Sequence, residues 1–228
     1  MAWMYNILCL AIIAITSANA ATNYCDLRSC TQRGSIQTMC KYPSPNPSSA
    51  CVNVNDRGLT ENEKNRTVNR HNELRQYVAS GNERRGSNGP QPPAAYMPNL
   101  TWDDELATVA QRWVDQCLIQ HDQCRNVPRF VVGQNLAVTM NSAENNTPVE
   151  DMISMWYDEV AQFDSNQVKR FTDGNGVGHY TQLVWAETTK IGCGCIKFRR
   201  DGWNNNLFIC NYGPAGNVIG QSIYKIRE

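Results

Sequence analysis

Across 228 residues the chain carries 21 Lys and Arg against 21 Asp and Glu, with no basic stripe. That balance argues against nucleic acid or an anionic membrane surface as a partner. The length suits one medium domain with a real hydrophobic core plus a small appendage.

In chain order, Ile7 to Ile15 form a short, mostly apolar run that leads into Ala18-Asn19-Ala20, with no charged side chain before Asp26. This pattern predicts a signal peptide over residues 1–20, cut before Ala21. The run is too short to span a bilayer, so no membrane span is expected. Only the terminal amine makes the start of the segment positive. Cys9 leaves with it, and Cys25, Cys30, Cys40, Cys51, Cys117, Cys124, Cys193, Cys195 and Cys210 remain. In an exported chain these read as a disulfide framework, and the odd number leaves one thiol without an intrachain partner.

Residues 21–57 form a cysteine-rich N-terminal extension without helical periodicity, with Pro43-Ser44-Pro45-Asn46-Pro47 as an extended linker; the main domain is expected over 58–228. A first helix should begin at Thr60, with Glu63 closing a capping box and Val68, His71, Leu74 and Val78 along one side. A second follows Thr101, its apolar stripe running through Leu106, Val109, Ala110, Trp113, Val114 and Cys117. Continued by one turn, that helix would aim His121 inward. A third is expected with Thr147 as cap, Pro148 in the first turn and Glu150 closing a second capping box; it buries Met152, Ile153, Trp156 and Val160. Glu159, at the edge of that apolar face, needs a partner. Trp102, Trp113, Trp156 and Trp185 are read as core residues.

The last third changes character. Ile191–Phe198 and Leu207–Tyr212 are β-rich runs around Asp201-Gly202, a strong hairpin signal. If those two residues are the turn, Arg200 faces Trp203, Cys193 faces Cys210, and Cys195 faces Phe208. A one-step register error would exchange Cys193 and Cys195 as the paired residue. The sequons at Asn65, Asn99 and Asn145 are candidate N-glycosylation sites, with Pro148 handicapping the third.

Gly178-His179-Tyr180-Thr181-Gln182-Leu183-Val184-Trp185 and Phe208-Ile209-Cys210-Asn211-Tyr212-Gly213-Pro214-Ala215-Gly216-Asn217 resemble, in order, the two signatures of the CAP superfamily. His71-Asn72-Glu73-Leu74-Arg75, Asn99-Leu100-Thr101-Trp102-Asp103 and Gly133-Gln134-Asn135-Leu136-Ala137 extend the resemblance from about Leu59 to the end. The cysteine-rich start, from Asn23-Tyr24-Cys25 to Cys51, resembles the antigen 5 branch of insect venom allergens, close to ant and wasp forms.

The resemblance implies an α+β fold, a CAP-type α-β-α sandwich with a disulfide-stapled N-terminal extension. It also implies the disulfides Cys25–Cys40, Cys30–Cys124, Cys51–Cys117 and Cys193–Cys210, leaving Cys195 as a free thiol. The family gathers two histidines and two acids in a central cavity; the matching positions here are His121, Gln134, Glu159 and His179, so one acid has become an amide. His121, Glu159 and His179 could hold a zinc ion with a water in the fourth position. Against this stands a hydrogen-bonded polar cluster that holds the helices in register. An amide cannot deprotonate a metal-bound water, which disfavours a metal-dependent hydrolase. His71 is read as a packing residue, and no G-x-S-x-G or H-E-x-x-H pattern is present.

The function expected is that of a secreted, extracellular, non-enzymatic venom or salivary antigen, monomeric, recognised by host antibodies as an allergen. The rival readings are a carrier of a small lipid such as a sterol or fatty acid, and the metal-dependent hydrolase.

Overall fold

The computed structural model describes residues 22–172, 174 and 176–228. The signal peptide and its cleavage point lie outside the described residues. In chain order the elements are two short helices, α1 (Arg28–Thr31) and α2 (Thr38–Lys41), then β1 (Val52–Arg57), α3 (Glu61–Ala79), β2 (Thr101–Trp102) and α4 (Asp104–Val114). After these come β3 (Gly133–Asn141), α5 (Val149–Tyr157), α6 (Gly178–Leu183), β4 (Lys190–Arg200) and β5 (Trp203–Gly213).

The hairpin of β4 and β5 is the axis of the fold. Asp201 and Gly202 both have positive φ, 51° and 83°, the backbone a two-residue turn between right-twisted strands requires. The register that follows places Arg200 opposite Trp203, Cys193 opposite Cys210 and Cys195 opposite Phe208, as the turn residues predict. β3 pairs antiparallel with β5, β1 pairs antiparallel with β4, and β2 adds a short parallel pairing at the start of β4. Strand β1 belongs to the cysteine-rich extension, so the extension contributes an edge strand to the central sheet. All six of its residues are exposed, which is why Val-Asn-Val-Asn-Asp-Arg carries no core signal.

Because side chains alternate along a strand, the run Gly192-Cys193-Gly194-Cys195 presents glycines to one face of the sheet and cysteines to the other. The glycine face receives α4. A Cβ at Gly194 would lie 2.5 Å from the Gln111 nitrogen and 2.6 Å from its Cα, and one at Gly192 would overlap the backbone of Asp103 and Ala107. Ile196, Phe198, Leu207 and Ile209 pack there with Ala110, Trp113 and Val114. The cysteine face, with Phe208, Cys210 and Tyr212, packs on the larger core that includes Leu74, Met152, Ile153, Trp156 and Tyr180. Helix layers on both faces make the α-β-α sandwich. Trp113, Trp156 and Trp185 are buried, whereas Trp102 is only partly so.

Helix ends follow the expectation where the cap is local and depart from it where a distant group competes. Thr60 and Glu63 form the reciprocal capping box. Thr147 and Glu150 do not form theirs: the Thr147 hydroxyl bonds with Thr139 and Asn145, Glu150 accepts from Arg66, and Pro148 takes the N-cap position without a side-chain bond. Helix α4 ends at Val114 rather than running on to His121. Arg57 bonds the Asp115 carboxylate, and Cys117 adopts a left-handed φ of 53° within its disulfide to Cys51. A residue in that conformation does not continue a right-handed helix.

The structure contains the disulfides Cys25–Cys40, Cys30–Cys124, Cys51–Cys117 and Cys193–Cys210, and Cys195 is a free, buried thiol. Two of the bridges, closing separations of 94 and 66 residues, tie the extension to the main domain. The Cys195 thiol donates to Asn206 Oδ1 at 3.1 Å, and burial pushes its pKa up to about 12, so it stays a thiol rather than a reactive thiolate.

Candidate functional site

The start of β3 connects the two histidines and their partners, which come from separate elements. The short loop after α4 leaves His121 exposed to solvent, not inside a helix face. Its Nδ1 lies 2.7 Å from Gln134 Oε1. The amide nitrogen of Gln134 donates to Asn211 Oδ1 at 3.0 Å and to Asp122 Oδ1 at 3.3 Å. With both amide hydrogens directed at acceptors, the carbonyl faces the ring, and His121 donates from Nδ1. Asp122, which sequence reading passed over, is buried and also accepts from Arg125 and from the Thr38 hydroxyl of α2. The extension therefore reaches this site through one side chain.

Glu159 stands on a 3-10 turn, Asp158–Gln162, that tightens the end of α5. The turn carries its carboxylate to the first residues of α6. Glu159 Oε1 lies 2.6 Å from His179 Nδ1, and Oε2 accepts the backbone N–H groups of His179 at 2.9 Å and Tyr180 at 3.1 Å. Both oxygens are thus committed to N–H donors. The His179 ring stacks on Trp156, with centroids 6.2 Å apart and planes 24° from parallel, so ring and carboxylate are held from two sides.

The four residues are accordingly organised as two pairs, His121 with Gln134 and His179 with Glu159. Strand β3 joins them, because the residue after Gln134, Asn135, donates from Nδ2 to the His179 carbonyl at 3.0 Å. Asn135 also donates to the Tyr212 hydroxyl at 3.3 Å, and that hydroxyl lies 2.8 Å from His71 Nε2. His71, whose Nδ1 bonds the Thr67 carbonyl at 2.8 Å, is fully buried, and burial lowers its pKa to about 4. It is a neutral packing residue behind the site.

A closed zinc site asks for three or four ligand atoms aimed at one point. Glu159 is already spent on holding His179, and among the described residues no group of three or more His, Cys, Asp or Glu side chains is placed to hold a metal ion. His121, Glu159 and His179 are therefore not gathered as a three-ligand set among the described residues. Each carboxylate or amide acts on its imidazole as an orienting partner, of the kind that fixes a tautomer and ring position.

Similarity to known proteins agrees with this architecture. The chain is 55% identical to Venom allergen 3 of Solenopsis invicta over 98% of each chain. It is 47% identical to Venom allergen 5 of Vespa velutina, over 89% of this chain and 98% of the relative. The crystal structure of NaASP2 with Zn2+ superposes with a TM-score of 0.64 at 33% identity, covering 75% of this chain and 89% of that one. Among the described residues no helix is long and apolar enough to cross a membrane. With residues 68–212, the histidines and the hairpin included, matching the model of the cysteine-rich secretory protein family, CAP, the chain belongs to that family.

Proposed function

We propose that the chain is a secreted, non-enzymatic venom antigen, and that the two histidine pairs are fastenings of the fold rather than a reactive centre. The commitment of both partner groups carries this reading. Activation of a water by a carboxylate would need a free acid beside the rings. Gln134 is an amide, and Glu159 has each oxygen occupied by N–H donors. Among the described residues no serine, threonine or cysteine side chain is hydrogen-bonded to either ring, so the nucleophile and base contact that covalent catalysis relies on is missing.

Export is supported by the cysteine framework, since structural bridges of this kind persist in oxidising compartments. Recognition by host antibodies is supported by near-full-length similarity to proteins named venom allergens. The exposed strand β1 and the extension take their shape from bridges to the main domain, so antibodies raised by stings should read conformation. Sera from stung hosts, titrated on the native protein and on the reduced and alkylated protein, should bind the native form at least about tenfold better. Absence of binding to the native form would end the antigen reading, and equal binding would end its conformational part.

A further inference from the structure

Three sequons are present, at Asn65, Asn99 and Asn145, and the fold treats their asparagines differently. Asn145 is buried with 4% exposure. Its amide nitrogen donates to the Thr139 carbonyl at 2.8 Å and the Asn204 carbonyl at 3.0 Å, while Oδ1 accepts from the Thr139 and Thr147 hydroxyls and the Thr147 N–H. A sugar on Nδ2 would replace a hydrogen already in use and would have to fill packed protein. A molecule modified there cannot complete the connection between β3 and α5.

Asn65 is exposed but lies in the second turn of α3, behind the Thr60–Glu63 capping box, and its sequon threonine, Thr67, is fully buried in the helix packing face. The local bonds that nucleate this helix compete with the open backbone that an acceptor sequon presents on a surface loop.

Asn99 has neither obstacle. It precedes β2 in an extended segment whose side chains alternate: Asn99 and Thr101 are exposed and Leu100 is buried. Asn72 fixes that alternation, accepting from the Leu100 N–H at 2.7 Å and donating to its carbonyl at 3.0 Å. Asn99 Oδ1 accepts from Gln76 Nε2 at 2.9 Å, and among the described residues no hydrogen bond engages its Nδ2. Thr101 is exposed, and among the described residues its hydroxyl is hydrogen-bonded only by Lys190 Nζ at 2.9 Å.

We infer that Asn99 is the single N-glycan acceptor of this chain and that Asn145 is a structural asparagine inside an unused sequon. In the modification, Asn99 Nδ2 loses a proton to the transferase and forms a bond to the anomeric carbon of a lipid-pyrophosphate-linked oligosaccharide. The bond from that carbon to the pyrophosphate oxygen breaks, and the lipid pyrophosphate leaves. The inference rests on export through the secretory pathway.

The test uses the full chain secreted from insect cells, treated with a glycosidase that also accepts core-fucosylated N-glycans, in water enriched in oxygen-18. Peptide mass spectrometry should recover position 99 as heavy-labelled Asp in most molecules and positions 65 and 145 as unlabelled Asn. Thr101→Ala and Asn99→Gln should each remove one glycan's worth of mass, and Thr101→Ala leaves the Asn99–Gln76 bond in place in case the other variant folds poorly. Unlabelled Asn99, or label at Asn65 or Asn145, overturns the assignment. The count of four disulfides in the same sample shows independently whether the chain was exported, so failure of the glycan inference is separable from failure of the secreted reading.

Discussion

His71 shows how one residue sets a property of the whole protein. In the unfolded chain its imidazole takes a proton near the ordinary value of about 6.5. In the fold it refuses one until about pH 4, because burial disfavours the charged ring. Between those values the unfolded state binds more protons than the folded one, so stability falls as the pH falls through this window. The gap corresponds to about 3 kcal/mol lost between pH 6.5 and 4. Urea unfolding at several pH values should show this slope in the native sequence and lack it in His71→Gln, although the variant starts from lower stability. Equal slopes would mean that His71 does not carry the effect. Arg75, one turn further on, is also fully buried, and among the described residues its guanidinium pairs with no carboxylate; it donates instead to the carbonyls of Pro98, Leu183, Trp185 and Thr188. Sequence reading quoted Arg75 in a motif but not as a core residue, since nothing local to α3 shows that four carbonyls from two distant segments converge on it.

At the scale of elements, the contact of α4 with β4 is a close one made against helix backbone. The helix lies on the strand where Gly192 and Gly194 have no side chains, and the added methyl of Gly194→Ala would meet helix backbone rather than a side chain that could swing aside. Either the helix moves off Ile196 and Ile209 or the strand bends, and overpacking of this kind typically costs about 1–3 kcal/mol. A thermal or urea midpoint lowered accordingly is expected for Gly194→Ala. For Gly34→Ala, where a Cβ meets nothing within 4 Å, only the cost of a positive φ should appear. Equal losses at the two positions would contradict the close approach. The hairpin was legible because Asp201-Gly202 fixes register over a short range, and the first capping box because its partners are three residues apart. The end of α4 and the second capping box were not, since their outcome lies with Arg57, Arg66, Thr139 and Asn145, which the chain brings in from other elements. Strand β1 was hidden for the opposite reason: it is an exposed polar edge whose only marker is its pairing with β4.

At the scale of the molecule, the fold spends its polar interior on fastening. The histidine pairs, the His71–Tyr212–Asn135 chain and the bridges to the extension all join segments far apart in sequence. The residue types of the candidate site were legible through resemblance, and Gln134 marked the lost acid. What the sequence could not show is that Glu159 satisfies three N–H groups at the start of α6, or that Asp122 and Asn211 orient the amide of Gln134; those contacts exist only once sheet and helices are assembled. The central claim, that this assembly is a scaffold and not a reactive centre, is tested most directly by hydrolytic turnover of the secreted protein. The assay would use ester and peptide substrates at neutral pH, with added zinc or with chelator, beside Glu159→Gln. A scaffold shows no turnover that the chelator removes and none that distinguishes the variant from the native chain. Turnover abolished both by chelator and by Glu159→Gln would contradict it and place a metal-dependent hydrolase at His121, Glu159 and His179.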